Sequence, residues 1–250
     1  MSGCARVSDG DVVGGITEDV RLLLPAGPVG VVAPLNLGIA NVSSGAASYV
    51  PPTAGTSLLA SLELERWTIG AGAGATAGHR TGVQIWNRDT FGGFTLRWIV
   101  HLQTLINNAA LGYRAFVGLA AQTAVLPAIN PSTFVNVVGF GFDPAAAPQW
   151  SLIRNDAAGA GTVTALGAGF VANVTDVLEM IVAADAGGAD FRCRCRNLTT
   201  PADSGELAIS ANTPAAALLF SDNVWLNSNA DATTAATIDV AKIEARRAAI

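Results

Sequence analysis

Lysine is almost missing: Lys242 is the only one in 250 residues, and charged residues make up just 13% of the chain. The formal net charge is −5. Neutralising a phosphate backbone takes clustered Lys and Arg, so nucleic acid is not expected as a partner. Coiled coils and helical bundles need Glu, Lys, Arg and Leu in bulk, which this composition does not offer. There are two histidines, His79 and His101, and three cysteines, Cys4, Cys193 and Cys195. Cys193 and Cys195 would be half of a zinc site lacking its other two ligands. Long apolar runs are also lacking. The window Leu22–Leu37 is broken by Pro25, Pro28 and Pro34, whereas a membrane-spanning helix takes about 20 mostly apolar residues. The opening MSGCARVSDGDVVGG does not have the basic-then-apolar order of a secretory signal, and no membrane insertion is expected.

Half of the residues are hydrophobic, which excludes disorder over most of the length. The mean hydropathy is +0.41. Much of the apolar count is alanine, which suits either face of a sheet. A chain this poor in charge also fits an oligomer that buries surface between subunits.

Period-2 alternation runs through the chain from Ser57 onward. In FTLRWIVHLQ, Phe94, Leu96, Trp98, Val100 and Leu102 share one face, and Thr95, Arg97, His101 and Gln103 share the other. In ADFRCRCRN, Phe191, Cys193 and Cys195 oppose Arg192, Arg194 and Arg196. In FVNVVGFGFD, Phe134, Val138, Phe140 and Phe142 are placed together. VLEMIVAAD is apolar enough to be covered on both sides. SLLASLELERW, RTGVQIW, YRAFVGLA, QWSLIRN, VTALGAGF and ATIDVAKIEARR are the other strand candidates. In the last of these Ile238 and Val240 take one parity, Ile243 and Ala245 the other, so a β-bulge is expected near Ala241–Lys242.

Gly/Asn/Asp/Pro turns separate nearly all of these segments: GAGAGATAGH, NRDTFGG, NPST, DPAAAP, NDAAGAG, DAGG, NLTTPADSG and NSNADAT. Helices of 10–15 residues between strands are absent, which argues against parallel α/β. SGELAISANTPAAALLF has room for one short helical turn before Pro214 interrupts it. The expected fold is therefore all-β: an antiparallel, jelly-roll-like β-sandwich over residues 51–250. Residues 1–50 carry Pro25, Pro28 and Pro34 with little alternation beyond VGVVA, and read as an extended attachment arm, with a poorly ordered tail as the alternative.

Chemistry-bearing constellations are weak. GAGAGATAG (70–78) is followed by HRTGVQIW, a strand, and not by the helix a phosphate loop opens, so it reads as a hairpin connection. No G-x-S-x-G is present, and His101 lies on the polar face of its strand with His79 at a loop edge. Glu63, Glu65, Glu179 and Glu206 are carboxylates available for glycoside hydrolysis, but nothing in the spacing pairs any two across a cleft. Asp143, Asp156, Asp176, Asp185 and Asp190 fall at strand ends, where a calcium ion or a capped turn would use them. No D-x-D-x-D cluster exists, so capped turns are expected and no metal or cofactor is assigned. The Arg192/Arg194/Arg196 stripe is either a solvated strand face or a surface for an anionic partner. Trp86, Trp150 and Trp225 are the candidates for stacking on sugars, against a core role for most tryptophans. Cys193 and Cys195 are expected as reduced thiols on a core face.

From Tyr113 onward the sequence resembles β-sandwich modules of tailed-bacteriophage fibre and virion structural proteins. The matching pieces are YRAFVGLA, INPSTFVNVVGFGFD, WSLIRNDAAGAGT, LGAGF, VLEMIVAA and VWLNSNADATTAATIDVAKIEAR, in that order and at fitting spacing. The turn NDAAGAG is longer than the Asn-Asp-Gly type of those modules, and Asn229-Ala230 stands where Asn-Gly is commoner. The resemblance implies a non-enzymatic virion component, a small homotrimeric fibre or spike on tail or head. Such a protein would attach to other virion proteins through its N-terminal segment and meet host surface polysaccharide through its loops. It would be assembled in the host cytoplasm. A lectin-like carbohydrate-binding module of a cellular protein is the alternative. A polysaccharide-degrading tailspike would show the repeats of a long β-helix, which are missing.

Overall fold

The computed structural model describes residues 41–52, 64–89, 93–104, 112–143, 147–157, 159–185, 187–188, 190–229 and 235–247. In chain order the strands are β1 (Asn41–Ser44), β2 (Ala46–Val50), β3 (Leu64–Ile69), β4 (Thr76–Thr81), β5 (Phe94–Thr104), β6 (Arg114–Ala120), β7 (Val137–Asp143), β8 (Ala147–Asn155), β9 (Thr162–Ala165), β10 (Val177–Ala184), β11 (Phe191–Asn197), β12 (Leu207–Ile209), β13 (Ser221–Asn227) and β14 (Ala236–Arg247). They form two seven-stranded sheets, ordered β1-β4-β13-β6-β7-β8-β9 (sheet A) and β12-β11-β10-β5-β14-β3-β2 (sheet B). All described pairings are antiparallel. The expected antiparallel β-sandwich is what the chain forms.

The core lies between the sheets because alternation puts one apolar file per strand on the inner side. On sheet B, Trp98 of β5 lies opposite Met180 of β10 and Ile243 of β14. On sheet A, Val117 of β6 is flanked by Phe140 and Val224. These side chains belong to one buried cluster. Cys193 and Cys195 are in it as free thiols, with Arg192, Arg194 and Arg196 on the opposite, exposed side of β11. The alternation in β14 is rescued by a register shift between Val240 and Lys242, so Ile238, Val240, Ile243 and Ala245 all reach the core.

The described strands differ from the sequence reading in several places. GAGAGATAG does not join a hairpin: β3 and β4 lie in different sheets, and Thr76–Gly78 already belong to β4. Beyond Thr81 the RTGVQIW segment keeps a single bridge, Trp86 to Phe220, in place of a strand. VTALGAGF is the short edge strand β9 followed by a single 3-10 turn, Ala168–Phe170. The segment read as a possible helical turn holds β12 instead. Most of SLLASLELERW lies outside the described residues.

The last ten residues assigned to the arm form β1 and β2. Here the chain leaves the edge of sheet A and enters the edge of sheet B at Gly45, with φ at 75°. A Cβ at Gly45 would lie 2.5 Å from that of Ala77 and 2.9 Å from the Thr68 carbonyl oxygen, so only glycine makes this crossing without displacement. Residues 1–40 lie outside the described residues.

Candidate functional site

Sheet A has a second apolar layer on its outer side. Phe116, Ala120, Val137, Ile153 and Trp225 project outward and are covered by Leu126 and Phe134 of the segment joining β6 to β7. The Phe134 ring stands edge-on to Phe116 at 5.7 Å and to Trp225 at 5.2 Å. Trp225 Nε1 donates to the Leu126 carbonyl at 3.1 Å, fixing the other end of the segment. Between these pegs Pro131–Thr133 form a 3-10 turn, with Thr133 Oγ1 donating to the Asn130 carbonyl at 2.6 Å. Gly161 N donates to the Ser132 carbonyl at 3.2 Å, tying the turn to the loop before β9. The segment is long but closely held, and it presents Val125, Ile129 and Val135 to solvent. The motif INPSTFVNVVGFGFD is thereby explained as turn, aromatic peg and strand. Phe134 is on the opposite side of sheet A from Val138, Phe140 and Phe142, contrary to the sequence reading, because it precedes β7 and follows a different path.

The predicted arginine stripe lies on the outer face of sheet B, where cross-strand carboxylates meet it. Arg192 pairs with Asp185, Arg194 with Asp203, and Arg196 with Glu179 at 3.1 Å. Glu179 also accepts from Arg97, which reaches Glu244 at 3.4 Å, and Arg246 closes the row on Glu244 at 2.7 Å. The hydrogen bond from Arg194, with one from the Gly205 backbone, lowers the Asp203 carboxyl to about 2. The stripe is thus a ladder of paired charges across the sheet, not an open cationic surface.

At one end of sheet B, His101 sits between a carboxylate and a carbonyl. Its Nδ1 is 3.4 Å from Asp239 Oδ2, and its Nε2 donates to the Val174 carbonyl at 3.0 Å. Asp239 also accepts from Arg66 Nε at 2.7 Å. Burial works against ionising Asp239, but the hydrogen bonds from His101 and Arg66 outweigh it and hold the carboxyl below its ordinary value. Asp176 is a turn carboxylate: Oδ2 accepts from Asn173 at 2.7 Å and from Asn197 at 2.6 Å. The narrow cleft among His101, Trp150, Asn173 and Asp176 has room for about one water molecule.

His79 is not at a loop edge. It is buried within β4 between the sheets, 3.3 Å from Asp222 Oδ2. Burial raises the carboxyl of nearby Glu65, and the charge of His79 partly offsets this. Neither histidine has a serine placed as a nucleophile in the described contacts. Glu179 belongs to the ladder, Glu206 is exposed, and Glu63 lies outside the described residues. Asp143, Asp156, Asp176, Asp185 and Asp190 do fall at strand ends, and among the described residues no three His, Cys, Asp or Glu side chains group as metal ligands would. Trp86, Trp150 and Trp225 are all buried, which removes them as exposed stacking platforms. The alternating strands that carry or adjoin them are covered on both sides, which the sequence alone does not show.

The architecture is that of a lectin-like β-sandwich. No protein-family model matches the chain, and no curated protein does. Among solved structures, peanut lectin with a nine-residue peptide superposes with a TM-score of 0.58 over 93% of this chain and 99% of the lectin, at 11% identity. Lectin UEA-II complexed with galactose gives 0.55 over 84% and 93%, at 12% identity. The carbohydrate esterase vb_24B_21 of the Shiga toxin-encoding bacteriophage phi24B gives 0.50 over 84% and 90%, at 14% identity. At these identities the likeness is one of fold.

Proposed function

We propose that this chain is a glycan-recognising β-sandwich of a bacteriophage particle, a small fibre or spike that attaches through its N-terminal segment and binds host surface polysaccharide. The observation that carries the reading is the segment between β6 and β7. It is anchored by Phe134 and Leu126 on a rigid sheet and exposes its intervening residues, which is how a scaffold holds a recognition loop. The resemblance of residues 113–246 to phage fibre modules supports a virion location. The fold shared with a galactose-complexed lectin and with a phage carbohydrate esterase supports a sugar as the ligand class. We read the chain as a binding protein and not an enzyme, since the geometry of His79 and His101 offers no nucleophile to activate. A homotrimer is the expected assembly for such a fibre.

The test has two arms. The purified chain is sized and titrated with host-type surface polysaccharides, and intact particles are probed with an antibody against the sandwich. Saturable polysaccharide binding by a particle-associated trimer is the expected result. A monomer that binds no polysaccharide and is absent from particles would overturn the proposal.

A further inference from the structure

The arginine stripe singled out from sequence is paired with carboxylates, but on the opposite sheet Arg80 and Arg154 have no carboxylate partner among the described residues. Arg66, Arg97, Arg192, Arg194, Arg196 and Arg246 each have a carboxylate partner. Arg88 has Asp190 nearby, and Arg114 lies 4.0 Å from Asp143. Arg154 spends two nitrogens on neutral acceptors, the Ala211 carbonyl and Thr164 Oγ1, both at 3.1 Å. Arg80 makes one bond: Nε donates to the Thr123 carbonyl at 2.7 Å, which fixes the guanidinium and leaves its two terminal nitrogens uncommitted among the described residues.

The setting of Arg80 explains the missing counter-ion. Arg80 is on the outer side of β4, opposite Asn223 of β13. On β13 its neighbour is an amide, with the Ser221 hydroxyl beside it. Asn223 is buried, and its Nδ2 donates to the Ser221 carbonyl and Oγ at 3.1 Å each. Ser221 in turn ties to the start of the recognition segment at the Gln122 carbonyl. The one carboxylate on this stretch of β13, Asp222, faces inward to His79, on the other side of the sheet. Partial burial lowers the basicity of Arg80 by removing part of the hydration of its charged form.

We propose that Arg80 is the anion-binding point of the glycan site, taking the carboxylate of an acidic sugar such as a uronic acid, with the exposed, neutral surroundings of Thr123 left for its hydroxyls. The inference rests on the glycan-binding reading above and deepens it. A guanidinium held at Nε still presents a forked edge of two terminal N–H groups, which matches a carboxylate in a way a lysine ammonium does not. The five arginines of the ladder and Arg66 cannot do this, because a ligand would first have to break an existing pair. The overall charge of −5 gives no long-range attraction for an acidic glycan, so the selectivity is local to Arg80.

The experiment titrates the full chain and its R80Q and R80K variants with uronate- and sialate-containing oligosaccharides and with their carboxyl-reduced, neutral counterparts. Thermal melts of each variant confirm folding. The expected result is that the acidic members bind on the order of 10-fold more tightly than their reduced forms, that R80Q abolishes this difference, and that R80K retains part of it. Equal binding of acidic and reduced sugars, or a preference that survives in folded R80Q, would overturn the role of Arg80 and leave the glycan reading standing. Binding of no member of either series would overturn both.

Discussion

Gly118 and Gly139 stand directly opposite one another on β6 and β7, and the edge of the Phe116 ring lies over both. A Cβ at Gly118 would be 2.5 Å from the Cα of Gly139, and one at Gly139 would be 2.6 Å from the Cα of Gly118. The two glycines in FVGLA and VVGFGFD are therefore one feature: a trough in sheet A that takes an aromatic ring on its outer side. We expect Gly118→Ala and Gly139→Ala each to cost about 1–3 kcal/mol, the usual penalty of overpacking. Urea denaturation of the purified variants measures it, and midpoints unchanged from the parent would refute this account of the trough.

Phe134 anchors the segment between β6 and β7 to Phe116 and Trp225. Phe134→Ala should cost about 3–5 kcal/mol, as for other buried phenylalanines. More telling is where the loss appears. The two sheets retain their own core, so limited proteolysis should cut first within residues 121–136. Cleavage beginning elsewhere would mean that Phe134 does not hold this segment.

Two carboxylates, buried Asp239 and half-buried Glu65, make opposite contributions to stability with pH. The folded-state pKa of Asp239 is depressed, so its contribution is complete above the ordinary aspartate value and is lost as pH falls below it. The folded-state pKa of Glu65 is raised above 4.5, so its contribution is complete below that value and is lost as pH rises through the folded value. Asp239→Asn should therefore flatten the acid limb of the stability curve, and Glu65→Gln should raise stability at neutral pH relative to acid. Melting temperatures from pH 3 to 8 test both signs.

How much of this was legible in the sequence depends on the kind of contact. Alternation gave the inward faces of β5 and β11, and the parity break in β14 marked its bulge. Parity says which residues share a side of a strand, but not what covers that side. Trp225 thus reads as a candidate for exposure or core alike, while its cover, Phe134, comes from a loop. The arginine stripe failed as a free surface for a related reason. Its partners Glu179, Asp185 and Asp203 reach it through strand register and turns, which the spacing of the arginines does not encode. His79 was misplaced because a glycine-rich stretch that reads as loop is in fact part of β4.

Cys193 and Cys195 face the core from β11, and burial raises both thiols well above their ordinary range. They should be inert to a thiol reagent at pH 8 in the native protein, and all three cysteines should titrate as free thiols once the chain is denatured without reductant. A single free thiol in the denatured protein would indicate a disulfide between two of them.

The last expectation concerns where the sandwich begins. The sequence boundary at residue 50 would let the whole first fifth of the chain be removed without harm to the domain. The structure puts β1 on the outer edge of β4, with Asn41–Ser44 paired to Thr81–Gly78, and β2 on the outer edge of β3, with Ala46–Val50 paired to Thr68–Leu64. Removing residues 1–50 would strip both sheets of an edge at once and expose the unpaired backbone of β3 and β4, a template for pairing with another copy. Removing residues 1–40 leaves both edges and the Gly45 crossing in place. We expect the shorter deletion to melt like the parent and to elute as the same oligomer, and the longer one to melt at lower temperature and aggregate. If attachment resides in the segment before β1, the shorter deletion also separates it from folding, because the sandwich persists while incorporation into the particle is lost. Equal melting of the two truncated forms would show that β1 and β2 add nothing to the sandwich and return the boundary to residue 50.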